Sequence, residues 1–138
     1  MSTPQATQPQ RAIDPTRESF KALFERVPAQ GPVHMLNLLA FKDTADGGGR
    51  TGRQAYADYS KAVEPLLAAV GGRVVWLADA HHAFIAPPGE TWDEMLLVEY
   101  PSREAFVAMM QSPDYQAVVH HRSAALRDAR LIVTTQRR

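Results

Sequence analysis

The stretch WDEMLLVEYPSREAFVAMMQSPDYQAVV, residues 92–119, decides the fold because it joins a strand to a helix that stops and restarts. Residues 95–98 are apolar without interruption, which predicts a strand buried on both faces. Pro101 ends that strand, and the hydroxyl of Ser102 can cap the helix that follows. The pair Ser112-Pro113 repeats the start signal, with a cap and then proline at the first helical position. The stretch therefore predicts strand, helix and restarted helix.

Working outward from this stretch, apolar periodicity predicts the remaining elements. An N-terminal helix within residues 13–30 is expected to begin at Asp14-Pro15, as a cap followed by proline. The strands and the long helix between them are predicted, in chain order, as a strand at 33–41, a helix at 53–70, a strand at 73–86, a strand at 92–100 and a last strand at 128–135.

This order of elements predicts an α+β fold. After the N-terminal helix it reads strand, helix, strand, strand, helix, strand, the ferredoxin-like βαββαβ arrangement. Right-handed crossovers put both helical segments on one face of a four-stranded antiparallel sheet. The first and third strands are apolar on both alternating sets of side chains, so the other face must also be covered. A second copy of the chain is the simplest cover, which predicts a homodimer packed through its sheet faces.

Length and composition limit the classes of protein that the sequence fits. A chain of 138 residues has the size of one domain, and we assign it to residues 31–138, after a disordered tail at 1–12 and the helix at 13–30. Fifteen basic and fifteen acidic side chains cancel, so no nucleic-acid partner is expected. With no cysteine and no apolar run of membrane-spanning length, we expect no disulfide, no membrane partner and a cytoplasmic location.

Three segments, LNLLAFKD, YADYSKAVEPLLAAVGGRV and VEYPSREAFVAMMQSPDYQAVVHHRSAAL, resemble the bacterial family named domain of unknown function 1330 over about residues 32–135. That family belongs to the dimeric α+β barrel superfamily. Members of that superfamily include cofactor-independent antibiotic-biosynthesis monooxygenases, ethyl-tert-butyl-ether-degradation proteins, muconolactone isomerase and haem-binding chlorite dismutases. The resemblance implies a dimeric α+β barrel, but it implies no reaction, since one fold hosts many activities.

Two polar residues fall inside the central strands. Glu99 must pair, reach water or take up a proton, so it is the candidate general base with a raised pKa, and pairing with a nearby arginine such as Arg103 is the competing interpretation. Asn37 could orient a ligand carbonyl or an oxyanion, although an amide at such a position more often bonds to nearby backbone.

The histidine pairs are the other candidates for chemistry. His81 or His82 could carry protons for Glu99 near neutral pH. His81 and His82 do not predict a metal site, because consecutive residues of a strand point to opposite faces. His120 and His121 do not predict one either, because consecutive residues of a helix point about a hundred degrees apart. No strand is followed by a Gly-x-Gly-x-x-Gly turn, and we expect no cofactor.

A small apolar or aromatic ligand is the expected partner besides a second copy of the chain. Tyr56, Tyr59 and Tyr115 could line a pocket between sheet and helices, although aromatics at helical spacing are more often core. Arg103 and Arg122 could bind a substrate carboxylate through their guanidinium forks, although arginines on a helix surface are more often simply solvated. The predicted function is a homodimeric small-molecule-binding protein, with a cofactor-independent monooxygenase- or isomerase-like enzyme as one form of it. A non-enzymatic binding or scaffold dimer is the alternative, and haem binding is a third.

Overall fold

The computed structural model describes residues 11–137, which form four helices and four strands. The predicted tail at 1–12 therefore lies almost entirely outside the described residues. The order of the elements confirms the predicted α+β arrangement. Their bounds are α1 Arg17–Arg26, β1 Val33–Phe41, α2 Gly52–Ala69, β2 Arg73–Asp79, β3 Glu94–Tyr100, α3 Arg103–Gln111, α4 Pro113–Ala125 and β4 Leu126–Thr134.

The four strands make one antiparallel sheet in the order β2-β3-β1-β4. The first and third strands are thus the two central ones, as their double-sided apolar pattern requires. In β1, Leu36 pairs with Leu97 of β3 and Ile132 of β4, while Asn37 pairs with Leu96 and Leu131. Successive strand residues point to opposite faces, so this register sorts every strand side chain onto one of two surfaces.

The caps of the restarted helix are where the sequence predicts them. The Ser102 hydroxyl accepts from Ala105 N at 3.1 Å, and the Ser112 hydroxyl accepts from Tyr115 N at 3.1 Å. The predicted start of α1 at Asp14 is wrong, because Thr16 is the cap. Thr16 forms a reciprocal capping box with Ser19, which satisfies two backbone N–H groups at once.

The second strand is shorter than predicted. β2 ends at Asp79, and residues 80–93 connect it to β3 without helix or strand. Phe84 and Ile85 of this connection are 87% and 90% exposed, so the apolar residues that suggested a longer strand face solvent. No helix of the described chain is long and apolar enough to cross a membrane.

The two faces of the sheet have different surroundings. The helices cover the face that carries Met35, Leu39, Leu96 and Val98, which belong to the hydrophobic core. On the other face, one residue from each strand forms an apolar row in register across the sheet. The row consists of Trp76, Leu97, Leu36 and Ile132. Its two outer members, Trp76 and Ile132, are each 50% exposed, and we call the surface the open face.

Candidate ligand-binding cavity

A cavity of about 1380 Å³ lies between the sheet and the helices. Side chains of the central strands form its floor, among them Met35, Asn37 and Val98. The walls come from α1, α2, α3 and α4, and most of the lining is apolar. Aliphatic and aromatic members of the wall include Phe20, Leu23, Val63, Leu67, Phe106 and Val119. The predicted pocket between sheet and helices is therefore present as a space large enough for a small molecule.

Three tyrosines stand together in this wall. Tyr56 and Tyr59 lie about one turn apart on α2, and Tyr115 lies in the first turn of α4, where the Ser112 cap holds its backbone. The hydroxyls of Tyr59 and Tyr115 are 3.0 Å apart. Burial raises the pKa of Tyr56, Tyr59 and Tyr115. The three phenols therefore stay protonated at neutral pH and act as hydrogen-bond donors rather than as bases.

Arg122 is the buried one among the four arginines that line this cavity, and the others are Arg26, Arg73 and Arg130. It projects from α4, lines the cavity and is only 8% exposed. Its Nη1 donates to the carbonyl oxygen of Ile13. The helix-surface interpretation of Arg122 is therefore wrong, because the segment before α1 covers this face of α4.

Arg103, the other predicted guanidinium, does not line the cavity. Its Nη1 donates to Phe24 O at 2.9 Å and to Val27 O at 2.7 Å, and its Nε donates to Glu104 at 2.9 Å. The guanidinium also lies 5.0 Å from the centroid of the Phe24 ring. These contacts fix the C-terminal end of α1 to α3, which is a structural role.

Asn37 points into the cavity from the middle of β1 and is 7% exposed. Its Nδ2 donates to the carbonyl oxygen of Met35 at 3.2 Å. The amide thus bonds to nearby backbone, as the competing interpretation predicts. The side-chain carbonyl oxygen of Asn37 supplies a hydrogen-bond acceptor in the cavity floor, near the three tyrosine hydroxyls.

Glu99 lies on the open face, away from the cavity. Its carboxylate accepts from Arg73 Nε at 2.9 Å and bonds to His34 Nε2 at 3.0 Å. The hydrogen bond from Arg73, with a smaller contribution from His34, lowers the pKa of Glu99. The predicted raised pKa is therefore wrong, since two positive or polar partners stabilise the charged form. The competing interpretation, pairing with a nearby arginine, agrees with the structure, but the arginine is Arg73, since Arg103 is engaged with α1.

The histidines predicted to assist Glu99 are at the other end of the sheet. His81 and His82 are exposed in the connection after β2, whose last residue, Asp79, pairs with Glu94. Glu99 pairs with Arg73 at the first residue of β2. Glu99, His81 and His82 are thus not brought together, and the strand alternation invoked for the two histidines does not apply to a loop.

His34 is the histidine that sequence reasoning missed. It pairs with Glu99 across β1 and β3 and is 9% exposed, while its Nδ1 is buried without a hydrogen-bond partner among the described residues. A carboxylate can only accept, so Nε2 carries the proton of the bond to Glu99. The pairing of β1 with β3 would have indicated this contact had the register been known.

Glu94 is the carboxylate on the helix side of the sheet, on the same strand face as Leu96 and Val98. It lines a smaller cavity of about 510 Å³ together with Arg53 and Tyr56. Burial raises the pKa of Glu94, the Arg53 charge opposes that rise and the Asp79 carboxylate adds to it. The two-residue alternation of β3 was the signal that could have identified it.

Metal-ligating side chains do not gather in the described part of the chain. No group of three or more His, Cys, Asp or Glu residues there could hold an ion. The rings of His120 and His121, consecutive on α4, have centroids 4.0 Å apart, and no third ligand of the described chain joins them. None of the five histidines, all within the described range, lines either cavity.

Comparisons with known proteins agree with this fold. The model of the family described as domain of unknown function (DUF1330) matches residues 50–136. The chain is 41% identical to the methylated RPA0582 protein, covering 93% of this chain and 96% of that chain, with a TM-score of 0.85. RPA0582 from Rhodopseudomonas palustris, of unknown function, is 38% identical over 94% of this chain and 99% of that chain, with a TM-score of 0.86.

A more distant structure shares the fold alone. A dimeric protein of unknown function and ferredoxin-like fold from Bacteroides fragilis is 17% identical over 78% of this chain and 98% of that chain, with a TM-score of 0.51. No curated protein matches the chain. The predicted family and the ferredoxin-like fold are both confirmed.

Proposed function

From the premise that the chain belongs to the DUF1330 family, we propose that it is a homodimeric protein that binds an apolar small molecule in the cavity between sheet and helices. The observation that carries this proposal is the cavity itself, about 1380 Å³ of mostly apolar, concave space that opens to solvent at its rim. A concave apolar space of this size with a few polar groups is typical of small-molecule sites.

The polar groups of the cavity support recognition of a ligand rather than simple packing. Tyr56, Tyr59, Tyr115 and Asn37 line a space whose wall is mostly apolar. The hydroxyl of Tyr56 has no hydrogen-bond partner among the described residues, which is the state expected of a group that bonds to a ligand. A few polar groups in an apolar pocket are typical of sites that orient small molecules.

The homodimer rests on the open face of the sheet. The apolar row Trp76, Leu97, Leu36 and Ile132 crosses this face in register. A monomer would leave this row in contact with water, and two copies packed through it would remove it from water. The Bacteroides fragilis protein of the same fold is described as dimeric, which supports the same assembly here.

The experiment that tests ligand binding uses a neutral apolar dye such as Nile red, whose fluorescence rises in a dry environment. Wild type is expected to bind it, and Val63→Trp, which fills the cavity from α2, is expected to weaken that binding at least roughly tenfold. Lys61→Trp, on the exposed side of the same helix, is the matched control. Equal dye binding by all three proteins would overturn the proposed site.

A second candidate is cofactor-independent acid–base catalysis in the same cavity system. The observation that favours it is Glu94, a half-buried carboxylate beside Tyr56 whose pKa is raised by burial. Mass spectrometry of a ligand retained through purification, before and after incubation with wild type and Glu94→Gln, tests it. Conversion by wild type alone supports catalysis, whereas an unchanged ligand with both proteins leaves binding as the function.

A further inference from the structure

Resting on the proposed function, we propose that the ligand of the cavity carries a carboxylate or a similarly compact anionic group, which Arg122 binds. The apolar body of the ligand then lies against the aliphatic wall. The cavity would thus select apolar acids over neutral molecules of the same shape.

The burial of Arg122 without a counter-ion is the first argument. Arg122 is 8% exposed, and among the described residues no carboxylate lies within ion-pair distance of its guanidinium. Buried charges in proteins are as a rule paired, since removal from water is costly without compensation. The bond to Ile13 O uses one of the several N–H donors of the guanidinium, so the others remain for a ligand.

The surplus of hydrogen-bond donors around Arg122 is the second argument. The Tyr59 and Tyr115 hydroxyls share one hydrogen bond, which uses one of their two protons and leaves the other to donate. The Tyr56 hydroxyl has no partner within the described chain. Arg122 is close enough to act electrostatically on all three phenols. Donors that converge on one apolar space fit an acceptor-only group such as a carboxylate.

The acidic residues at the rim do not replace such a ligand. Asp14 lines the cavity but is exposed, and its carboxylate accepts from the Ser123 hydroxyl at 3.1 Å. Glu64, also at the rim, is exposed on α2. Neither forms an ion pair with Arg122 in the described residues, so the buried charge faces the interior of the cavity without an anion from the protein.

The rest of the cavity lining is apolar and selects an apolar body for the ligand. Phe20, Leu67 and Phe106, from three different helices, line the cavity together with floor residues Leu96 and Val98. This surface offers dispersion contacts and no polar partner. An anion with an aliphatic or aromatic body fits both halves of the cavity.

Matched acids and amides test the charge selectivity directly. Octanoate and phenylacetate are compared with octanamide and phenylacetamide by isothermal titration calorimetry on the wild-type dimer at pH 7. The acids are expected to bind roughly tenfold or more tightly than the amides, as a charge-assisted bond predicts. Arg122→Met is expected to abolish this preference, and Arg122→Lys to retain part of it. Arg17→Gln, which removes the same charge from an exposed position of α1, is expected to leave the preference unchanged.

The outcomes separate this inference from the function on which it rests. Amides that bind wild type as tightly as the acids would overturn anion recognition and leave the proposed binding function intact. If neither acids nor amides bind, both fail. Should Arg122→Met not fold, the comparison of acid with amide on wild type still decides, since it needs no substitution.

Discussion

The hydroxyl oxygens of Tyr59 and Tyr115 lie 3.0 Å apart and join α2 to α4 across the wall of the cavity. Their rings meet edge to face, with centroids 6.2 Å apart. Because both hydroxyls are buried, Tyr115→Phe is expected to lower the free energy of unfolding by about 1 kcal/mol, measured by urea denaturation. Tyr56→Phe is the control, since its hydroxyl has no partner in the described chain. An equal loss of stability in both variants would contradict the role of the pair.

Gly52 lies where three segments of backbone meet. It is the first residue of α2, and its N–H donates to Lys42 O at 3.1 Å. A Cβ at this position would lie 2.8 Å from Ala125 O and collide with Lys42 O. Gly52→Ala is therefore expected to cost about 3 kcal/mol of unfolding free energy or to prevent folding, because backbone cannot move aside as a side chain can.

The control for Gly52 is Gly89, in the connection between β2 and β3. Its φ of +84° is unfavourable for alanine, but nothing lies within 4 Å of the added Cβ. Gly89→Ala is expected to cost about 1 kcal/mol, from backbone strain alone. Thermal or urea unfolding of both variants gives the comparison, and similar costs would refute the close approach at Gly52.

The ion pairs of Glu99 predict how stability depends on pH. Its pKa is lowered below the ordinary value of 4.5 in the folded protein, mainly by the hydrogen bond from Arg73. The unfolded chain therefore binds this proton first, and the stabilisation is present above pH 4.5 and is lost as pH falls through the folded pKa. The stability difference between wild type and Glu99→Gln is therefore expected to shrink as pH falls below 4.5.

Urea denaturation of wild type and Glu99→Gln at several pH values between neutral and acid measures this difference. Glu25→Gln, in an exposed residue of α1, is the control and should show no comparable change. A Glu99→Gln difference that stays the same down to pH 3 would mean that the contacts with Arg73 and His34 contribute nothing to stability.

Leu97 lies near the centre of the apolar row on the open face, between Trp76 and Leu36. Leu97→Glu places a charge in the proposed contact between sheets, so it is expected to convert the dimer to a monomer. Ala108→Glu, exposed on α3 in the helix layer, adds the same charge elsewhere and should leave the dimer intact. Analytical ultracentrifugation measures the oligomeric state of both variants. A Leu97→Glu variant that is still dimeric would exclude this surface as the interface.

Much of the fold could be predicted because its signals are local. The caps at Ser102 and Ser112 depend only on a hydroxyl followed by a helical segment, and both are present. The start of α1 could not be chosen in the same way, since Asp14 and Thr16 are both competent caps. What selects Thr16 is the reciprocal bond with Ser19, which single-residue preferences do not contain.

The site was harder to predict because it depends on register and packing. Glu94 and Glu99 are both carboxylates on β3, but they face opposite sides of the sheet, and the pKa of one rises while that of the other falls. Arg122 resembled a solvated helix residue until the segment around Ile13 was found to cover it. The three tyrosines were predicted as pocket residues, and whether they touch a ligand remains a prediction.

The measurement that tests the central claim most directly is an NMR titration of protein with isotope-labelled side-chain methyl groups, using octanoate as the ligand. The account predicts that shifts concentrate on methyl groups that line the cavity, such as those of Met35, Val63 and Leu67, while those of Leu36 and Leu97 on the open face stay unchanged. Shifts confined to the open face, or no saturable shifts at all, would contradict a ligand site between the sheet and the helices.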